Sequence, residues 1–354
     1  MLNIKQVNRT FMMIIAPFVG MMLWMLFSSL SVQLHTPSVS IPTLDDWNVK
    51  HSQIMQGLDG ADSSVHYTVD TIKRSSTLYN QITTVTGNIV DTAASQAKRP
   101  ETIYNRRITA KLGTPIDSVN SDKLTAELYR IHQPTYSGYA LKVKLKDTSA
   151  MTMSLGYDKY GGSETTMQAV NRYGAVAGVN AGGFADGGGK RYPLSTTVLN
   201  GNYISGFEST YKDLTFVGMD KQGSLIGGKF HAKEQLDQLD PAFGATFVPQ
   251  LLSRGIKLTI PEKWNSSPLR APRTVIGNYK DDQLLFLVID GYNESGSSGA
   301  TLSEMQQKMA NLGVQDAYNL DGGGSSSLIF KGRVVNSPSD GQLRPLPTHF
   351  LFFK

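Results

Sequence analysis

The sequence predicts an α+β fold: a mixed β-sheet domain with flanking helices, preceded by a transmembrane helix and a helical stalk. Three observations carry this. The run Phe11 to Phe27 contains no polar side chain. Leu58, Val65, Ile72 and Tyr79 recur every seven residues in a Gln/Ser/Thr-rich stretch with few glycines. From Lys123 onward, alternating or continuous apolar runs mark strands, interleaved with helical patterns that stop at glycine.

Taking the chain in order, Ser28-Ser-Leu30 extends the first apolar run to about 20 residues, enough to span a bilayer. Lys5 and Arg9 precede it without an acidic residue, so residues 1–10 read as a cytoplasmic tail and 11–30 as an uncleaved signal anchor. A cleavable signal peptide has a shorter apolar core, about 7–15 residues, and an Ala-x-Ala site that Ser29-Leu-Ser31 imitates poorly. Residues 31–45, Pro/Ser/Thr-rich from His35 to Pro42, form a spacer. In the stalk, 46–98, Ile54, Ile82 and Ile89 occupy d-type positions beside the seven-residue repeat, and Thr68, Ser75 and Thr86 interrupt it. This is a helix able to self-associate. Arg99-Pro100 is expected to end it, leaving 99–122 as a polar connector to a domain over 123–354.

Within that domain, Leu124 to Ile131 and Tyr139 to Leu145 alternate as strands. Ser163 can cap a helix with Met167, Val170 and Tyr173 on one face, stopped by Gly174. A buried-type strand, Ala175 to Val179, then ends in Asn180-Ala-Gly-Gly-Phe184. A second such unit follows: a capping box at Thr301 and Glu304, a face of Leu302, Met305, Met309 and Leu312, a stop at Gly313, and a strand to Asn319. In both units an Asn lies six residues after the stopping glycine. The pattern predicts equivalent halves that bring Asn180 and Asp321 to one edge of one sheet. Asp213 to Gly227 and Phe247 to Ile260 hold short strands. The apolar strand Gln283 to Ile289, buried on both faces, delivers Asp290-Gly291, and Ser295 to Gly299 is a flexible turn.

Composition excludes several classes. The 354 residues carry a net charge of +5 with a pI near 9.1, and no basic block marks a nucleic-acid surface. The absence of cysteine removes disulfide frameworks and thiolate zinc sites. Six histidines lack metal-like spacing. No cofactor is required by the sequence, although Ca²⁺ or Mg²⁺ held by Asp side chains and carbonyls is compatible with it.

The chemistry concentrates in Asn319-Leu-Asp-Gly-Gly-Gly-Ser-Ser-Ser327. A turn needs one or two glycines; three leave a backbone that a ligand can approach and whose N–H groups can cradle an anion. The phosphate loop's Gly-Lys-Ser/Thr and the nucleophile elbow's Gly-x-Ser-x-Gly are both missing here. The plainer reading is a Gly-rich hairpin with a capping Asp.

Together, Val179-Asn-Ala-Gly-Gly-Phe184, Pro272-Arg-Thr-Val-Ile-Gly277, the strand ending Asp290-Gly291, Gly299-Ala-Thr-Leu-Ser-Glu304 and the Asn319 loop resemble the phosphodiester glycosidase family. Val335 to Asp340 and Arg344-Pro345 also match, and Tyr292 departs from an expected basic residue. The resemblance implies hydrolysis of a sugar-1-phosphate diester at the anomeric carbon. A phosphate monoester leaves easily, since its second pKa is near 6, so a strong general acid matters less than in ordinary glycosidases. A cation on the phosphate and a carboxylate for water or for the oxocarbenium ion remain necessary. Arg273 is the expected phosphate clamp, with a surface salt bridge as its structural alternative. Asp321 is the first choice of catalytic carboxylate, ionised beside the glycine N–H groups, and Asp290 the second or a loop cap. Asn180 orients sugar or water, or is a buried structural amide. Gly322, Gly323, Gly324 and Ser325 supply donors; Lys190 and Glu208 are further candidates. The whole reads as a membrane-anchored extracytoplasmic hydrolase acting on cell-surface glycopolymers. The alternatives are a non-catalytic glycan- or phosphate-binding surface module and a stalk-driven assembly protein.

Overall fold

The computed structural model describes residues 12, 15–24, 44–210, 213–291 and 299–354. Of the expected span 11–30, Met12 and residues 15–24 are helical and exposed, and the remainder lies outside the described residues, as do Tyr292 and most of the Ser295–Gly299 turn. Among the described residues no helix is long and apolar enough to cross a membrane. The chain divides into two compact units, Met1–Asp91 and Thr92–Lys354.

The stalk is helical as expected, in α1 (Leu44–Leu112), but it does not stop at Arg99-Pro100. Proline inside a helix removes one backbone donor and clashes with the preceding turn, at a cost of about 3 kcal/mol. Tertiary packing offsets that cost. Ile108 and Leu112 are buried with Tyr104 against the domain's largest sheet. Lys142, itself buried, bonds Asn105 at 2.7 Å and Thr109 at 3.3 Å while pairing with Glu127 at 2.6 Å. Residues 99–122 are therefore the last turns of α1 and an edge strand, Asp117–Asn120, instead of a connector.

The second unit is built on an eight-stranded sheet. Its order is Asp117–Asn120, Leu124–His132, Ser137–Leu145, Leu284–Ile289, Arg273–Asn278, Asp316–Leu320, Gln250–Ser253 and Ile256–Lys257. We label the strands around the site β1 (Ala177–Asn180), β2 (Arg273–Asn278), β3 (Leu284–Ile289), β4 (Asp316–Leu320), β5 (Leu328–Phe330) and β6 (Thr348–Phe352). A five-stranded sheet runs Arg333–Val334, β5, β1, β6 and Met151–Leu155; another five-stranded sheet holds Val198–Leu199, Asn202–Tyr203, Thr215–Asp220, Leu225–Gly228 and Pro241–Phe247.

Every strand pairing among the described residues is antiparallel, so the sheet is not mixed. The helix-linked strands β3 and β4 do run the same way, but β2 lies between them and opposes both. The alternation along β3 shows why it is apolar throughout. Leu284, Phe286 and Val288 enter the central core shared with the five-stranded sheets. Leu285, Leu287 and Ile289 enter a second core closed by the end of α1 and by α3 (Leu302–Leu312). Phe286 meets Phe350 and Phe352 of β6 with ring centroids 6.2 and 5.4 Å apart; burying each such side chain contributes about 1.5–3 kcal/mol.

Both helix–strand units form. α3 has the expected Thr301/Glu304 capping box and a left-handed Gly313. α2 (Thr166–Tyr173) ends at left-handed Gly174 but is capped by Thr165, whose hydroxyl accepts from the Gln168 N–H, and not by Ser163.

Candidate active site

Register places three of the expected residues together. Arg273 pairs with Ile289 and Thr274 with Leu320, so the start of β2 lies between the ends of β3 and β4. Asp290 and Asp321 therefore leave the sheet at the same edge, one strand to either side of β2, with backbones about 10 Å apart from strand spacing. The Asp321 loop is no hairpin: it carries the chain from β4 in the eight-stranded sheet to β5 in a five-stranded one. Asn180 and Asp321 do meet, but from these two different sheets and not along one edge.

Each glycine of the loop has its own reason. A Cβ on Gly322 would stand 2.8 Å from the Pro272 carbonyl, and one on Gly324 would overlap the Arg344–Asp340 pair. Gly323 has φ +60°, where side chains are disfavoured. Two of their N–H groups are engaged within the protein: Gly322 donates to Asp321 Oδ1 at 3.1 Å and Gly323 to the Pro272 carbonyl at 2.9 Å. Close approach of chain to chain accounts for Gly322 and Gly324, and the backbone conformation for Gly323.

Asn180 is fully buried and its hydrogen bonds hold the loop, as in the structural alternative. Its Nδ2 donates to the Asp321 carbonyl at 2.6 Å, and its Oδ1 accepts from Thr274 Oγ1 at 2.9 Å and from the Ser327 N–H at 3.0 Å. It clasps the loop and leaves no oxygen for a sugar. A buried relay continues beneath: Ser327 Oγ lies 2.7 Å from Thr166 Oγ1, which lies 3.1 Å from His349 Nδ1. His349 Nε2 faces the Leu346 carbonyl at 3.2 Å and so carries the proton; burial pushes the ring's pKa down to about 4, keeping it neutral.

Asp321 differs from expectation in its ionisation. Burial of the carboxyl pushes its pKa up to about 6, against the opposing pull of the Ser325 hydroxyl, the Gly322 N–H and the charges of Arg344 and Arg191. One glycine donor does not outweigh desolvation. Its Oδ2 is buried and has no partner in hydrogen-bond geometry among the described residues.

The cations at Asp321 are Arg344 and Arg191, neither of which the sequence placed in the site. Arg344 lies over Gly324, reaches Ser325 Oγ at 3.5 Å and pairs with Asp340 at 2.6 Å. Arg191 pairs with Asp186 at 2.9 Å, stacks over Phe184 and donates to the Pro345 carbonyl. In the hairpin Phe184–Gly187 and Lys190–Pro193, Lys190 opposes Gly187 and is exposed, so the cation that acts on Asp321 is its neighbour. The signal for Arg344 was its place in Arg344-Pro345; Arg191 had none.

Arg273 is no phosphate clamp in this arrangement. Its guanidinium is buried, Nε bonding the Ala300 carbonyl at 3.1 Å and Nη2 the Pro268 carbonyl at 2.9 Å, and burial pushes its pKa down to about 10. On β2 it shares the α3 face with Val275, while Thr274 turns to Asn180 and Ser326. Nor is it a surface salt bridge. Glu208 is exposed, and its backbone, not its side chain, bonds Thr196. Among the described residues no group of three or more His, Asp or Glu could hold a metal ion. At the surface the loop shows Asp321, Gly322, Gly323 and Gly324, each half-buried, while Ser325, Ser326 and Ser327 are buried.

Asp290 accepts from the Ser337 N–H at 2.7 Å. Burial pushes its pKa up to about 6, opposed by that N–H and by the charge of Arg130. The folded value lies above the unfolded one, so the group favours the fold below about pH 4 and loses that contribution as pH rises through 6. Asp290→Asn, which keeps an acceptor for Ser337, should therefore raise Tm by roughly 4 °C or more at pH 7.5 and change it little at pH 4. Equal Tm shifts at the two pH values, read by calorimetry, would show that Asp290 titrates normally.

Comparison with known proteins agrees with the earlier resemblance. The family model described as phosphodiester glycosidase matches residues 173–353. The bovine N-acetylglucosamine-1-phosphodiester alpha-N-acetylglucosaminidase is 38% identical over 137 residues, covering 35% of this chain and 26% of that protein. The SPbeta prophage-derived uncharacterized protein YomE of Bacillus subtilis is 34% identical over 100 residues, 28% of this chain and 15% of its own. The matches thus span about a quarter or less of these curated relatives. The zebrafish N-acetylglucosamine-1-phosphodiester alpha-N-acetylglucosaminidase catalytic domain, solved auto-inhibited by its pro-peptide, superposes with a TM-score of 0.55 over 66% of this chain and 85% of that one. At 19% identity that likeness is one of fold.

Proposed function

The chain belongs to the phosphodiester glycosidase family, and from that premise we propose that its second unit hydrolyses a sugar-1-phosphate diester at the anomeric carbon. The observation that carries the reading is the Asp321 carboxyl, one oxygen on the Gly322 N–H, the other buried and unpartnered, in the field of Arg344 and Arg191. Above about pH 6 it is ionised. It then takes a proton from attacking water, or supports the oxocarbenium ion, as the C1–O bond to phosphate breaks. The departing phosphate monoester needs no strong acid. Arg344 and Arg191 hold it: their present partners Asp340 and Asp186 are on the surface, and such pairs contribute about 1 kcal/mol or less, so a phosphate can replace them.

The half-buried position of Gly322, Gly323 and Gly324 at the surface suits a substrate that continues as a polymer. With the apolar run 11–30 behind Lys5 and Arg9 as a signal anchor, that polymer is a glycopolymer of the cell surface, reached from the extracytoplasmic side. Self-association along α1 completes this reading.

The test is release of free sugar from a panel of sugar-1-phosphodiesters by residues 92–354, which keep the whole second unit and the end of α1 that packs on it. Retention of the diesters without sugar release would support a binding module in place of an enzyme. Arg344→Lys should lower kcat/KM roughly tenfold or more, because the planar fork is lost. Arg273→Lys should leave kcat/KM nearly unchanged and lower stability by about 1–3 kcal/mol, one buried carbonyl losing its donor. The reverse pattern would return the phosphate to Arg273.

A further inference from the structure

Residues 54–90 of α1 carry an apolar stripe without a partner. Leu58, Val65, Ile72 and Tyr79 are each at least 58% exposed, and so are Ile54, Ile82 and Ile89. The segment is a poor helix by itself. Gly57, Gly60 and Gly87 lie inside it, as do six threonines between Thr68 and Thr86, and both residue types weaken helices. Among its described side chains the one ion pair is His66–Asp62 at 3.6 Å, exposed at both ends. A lone helix in water is marginal even with better residues, so lateral packing must supply the rest.

A seven-residue stripe fits a helix of the same period. The other labelled helices of this chain, Thr166–Tyr173 and Leu302–Leu312, have 8 and 11 residues and lie in the domain core, and neither can cover five heptads. Charge placement favours an identical partner. With Leu58, Val65, Ile72 and Tyr79 at position a, the flanking e and g positions from Met55 to Val90 hold one charged residue, Asp62. Asp59, Asp70, Lys73, Arg74 and Asp91 fall on the outer face. Two copies would meet without like-charge repulsion. The interruption at Thr68 is tolerable in a seam, because its hydroxyl already donates to the Ser64 carbonyl at 2.7 Å.

We infer that residues 54–90 pair with the same segment of a second copy of this chain in a parallel coiled coil. The parallel orientation rests on the membrane anchoring proposed above; the pairing does not. The chain has no cysteine, so each introduced thiol reports only itself. In the full chain in detergent micelles under a mild oxidant, Ile54→Cys, Ile72→Cys and Ile89→Cys should each give at least ~10-fold more covalent dimer than Asp70→Cys or Lys73→Cys, whose thiols would be too far apart to bridge. Dimer at Ile72→Cys alone would mean an antiparallel crossing and overturn the orientation. No stripe dimer, or equal yields on both faces, would overturn the pairing. Recovery of the same protein in membrane or soluble fractions before extraction tests the anchor separately.

Discussion

Asp321→Asn is expected to lower turnover by roughly a hundredfold or more while the chain stays folded, the scale of a lost general base. The substitution keeps an oxygen for the Gly322 N–H, which bonds the present carboxylate at 3.1 Å. It also removes a buried carboxylate whose pKa stands at about 6, above its unfolded value. Such a group favours the fold only while protonated: fully below about pH 4, and no longer above 6. At pH 7.5 the Asn variant should therefore be at least as stable as the parent, so the lost turnover is chemical. The parent's activity should fall as pH drops through about 6, because the active form is the carboxylate, and the residual rate of the variant should be flat there. Asp290 also titrates near 6, so the pH limb alone does not assign the role. Full rate in Asp321→Asn with loss in Asp290→Asn would exchange the two. Full rate in both would leave the loop as a binding element.

Much of this arrangement was legible because local chemistry dictated it. The capping box at Thr301, the left-handed Gly174 and Gly313, and the continuous apolar strand into Asp290 depend on neighbours in sequence, and all formed. Pro100 misled because its local cost is offset by contacts to Lys142 and the sheet, which lie far along the chain. The equal spacing from Gly174 to Asn180 and from Gly313 to Asn319 was real, yet β1 and β4 joined different sheets, a choice made by pairing with β5 and β2. Arg273 misled for a further reason. Strand alternation turns it to the α3 face, and only the register of β2 reveals which of Arg273 and Thr274 looks toward the loop. Arg191 and Arg344 reach Asp321 from 130 residues before it and 23 after it, so only the fold brings them to the carboxyl; Arg344-Pro345 was a motif match without a role, and Arg191 had no signal at all.

Asn180→Ala is expected to destabilise the second unit by about 3 kcal/mol or more, lowering Tm by roughly 6–12 °C at this size. The side chain is fully buried, and its removal takes a partner from three groups: the Asp321 carbonyl, the Thr274 hydroxyl and the Ser327 N–H. Each such loss in a dry site costs about 1–3 kcal/mol. Thr274 can fall back on Ser326 Oγ, now 3.2 Å away, so its share is the smallest. Asn180→Asp tests the same clasp without a change of volume. It sets a carboxylate oxygen against the Asp321 carbonyl where Nδ2 now donates at 2.6 Å, and must either charge a buried group or protonate it. The Asp variant should consequently be the less stable of the two at pH 7.5 and recover part of the difference at pH 5, where its carboxyl takes up a proton. Because the clasp fixes the backbone that carries the Asp321 carboxyl, both variants should also lose kcat when assayed well below their Tm, with KM less affected. Melting within 2 °C of the parent for both would show that the two sheets hold the loop without Asn180, and the loss of kcat would then have to come from contact with substrate.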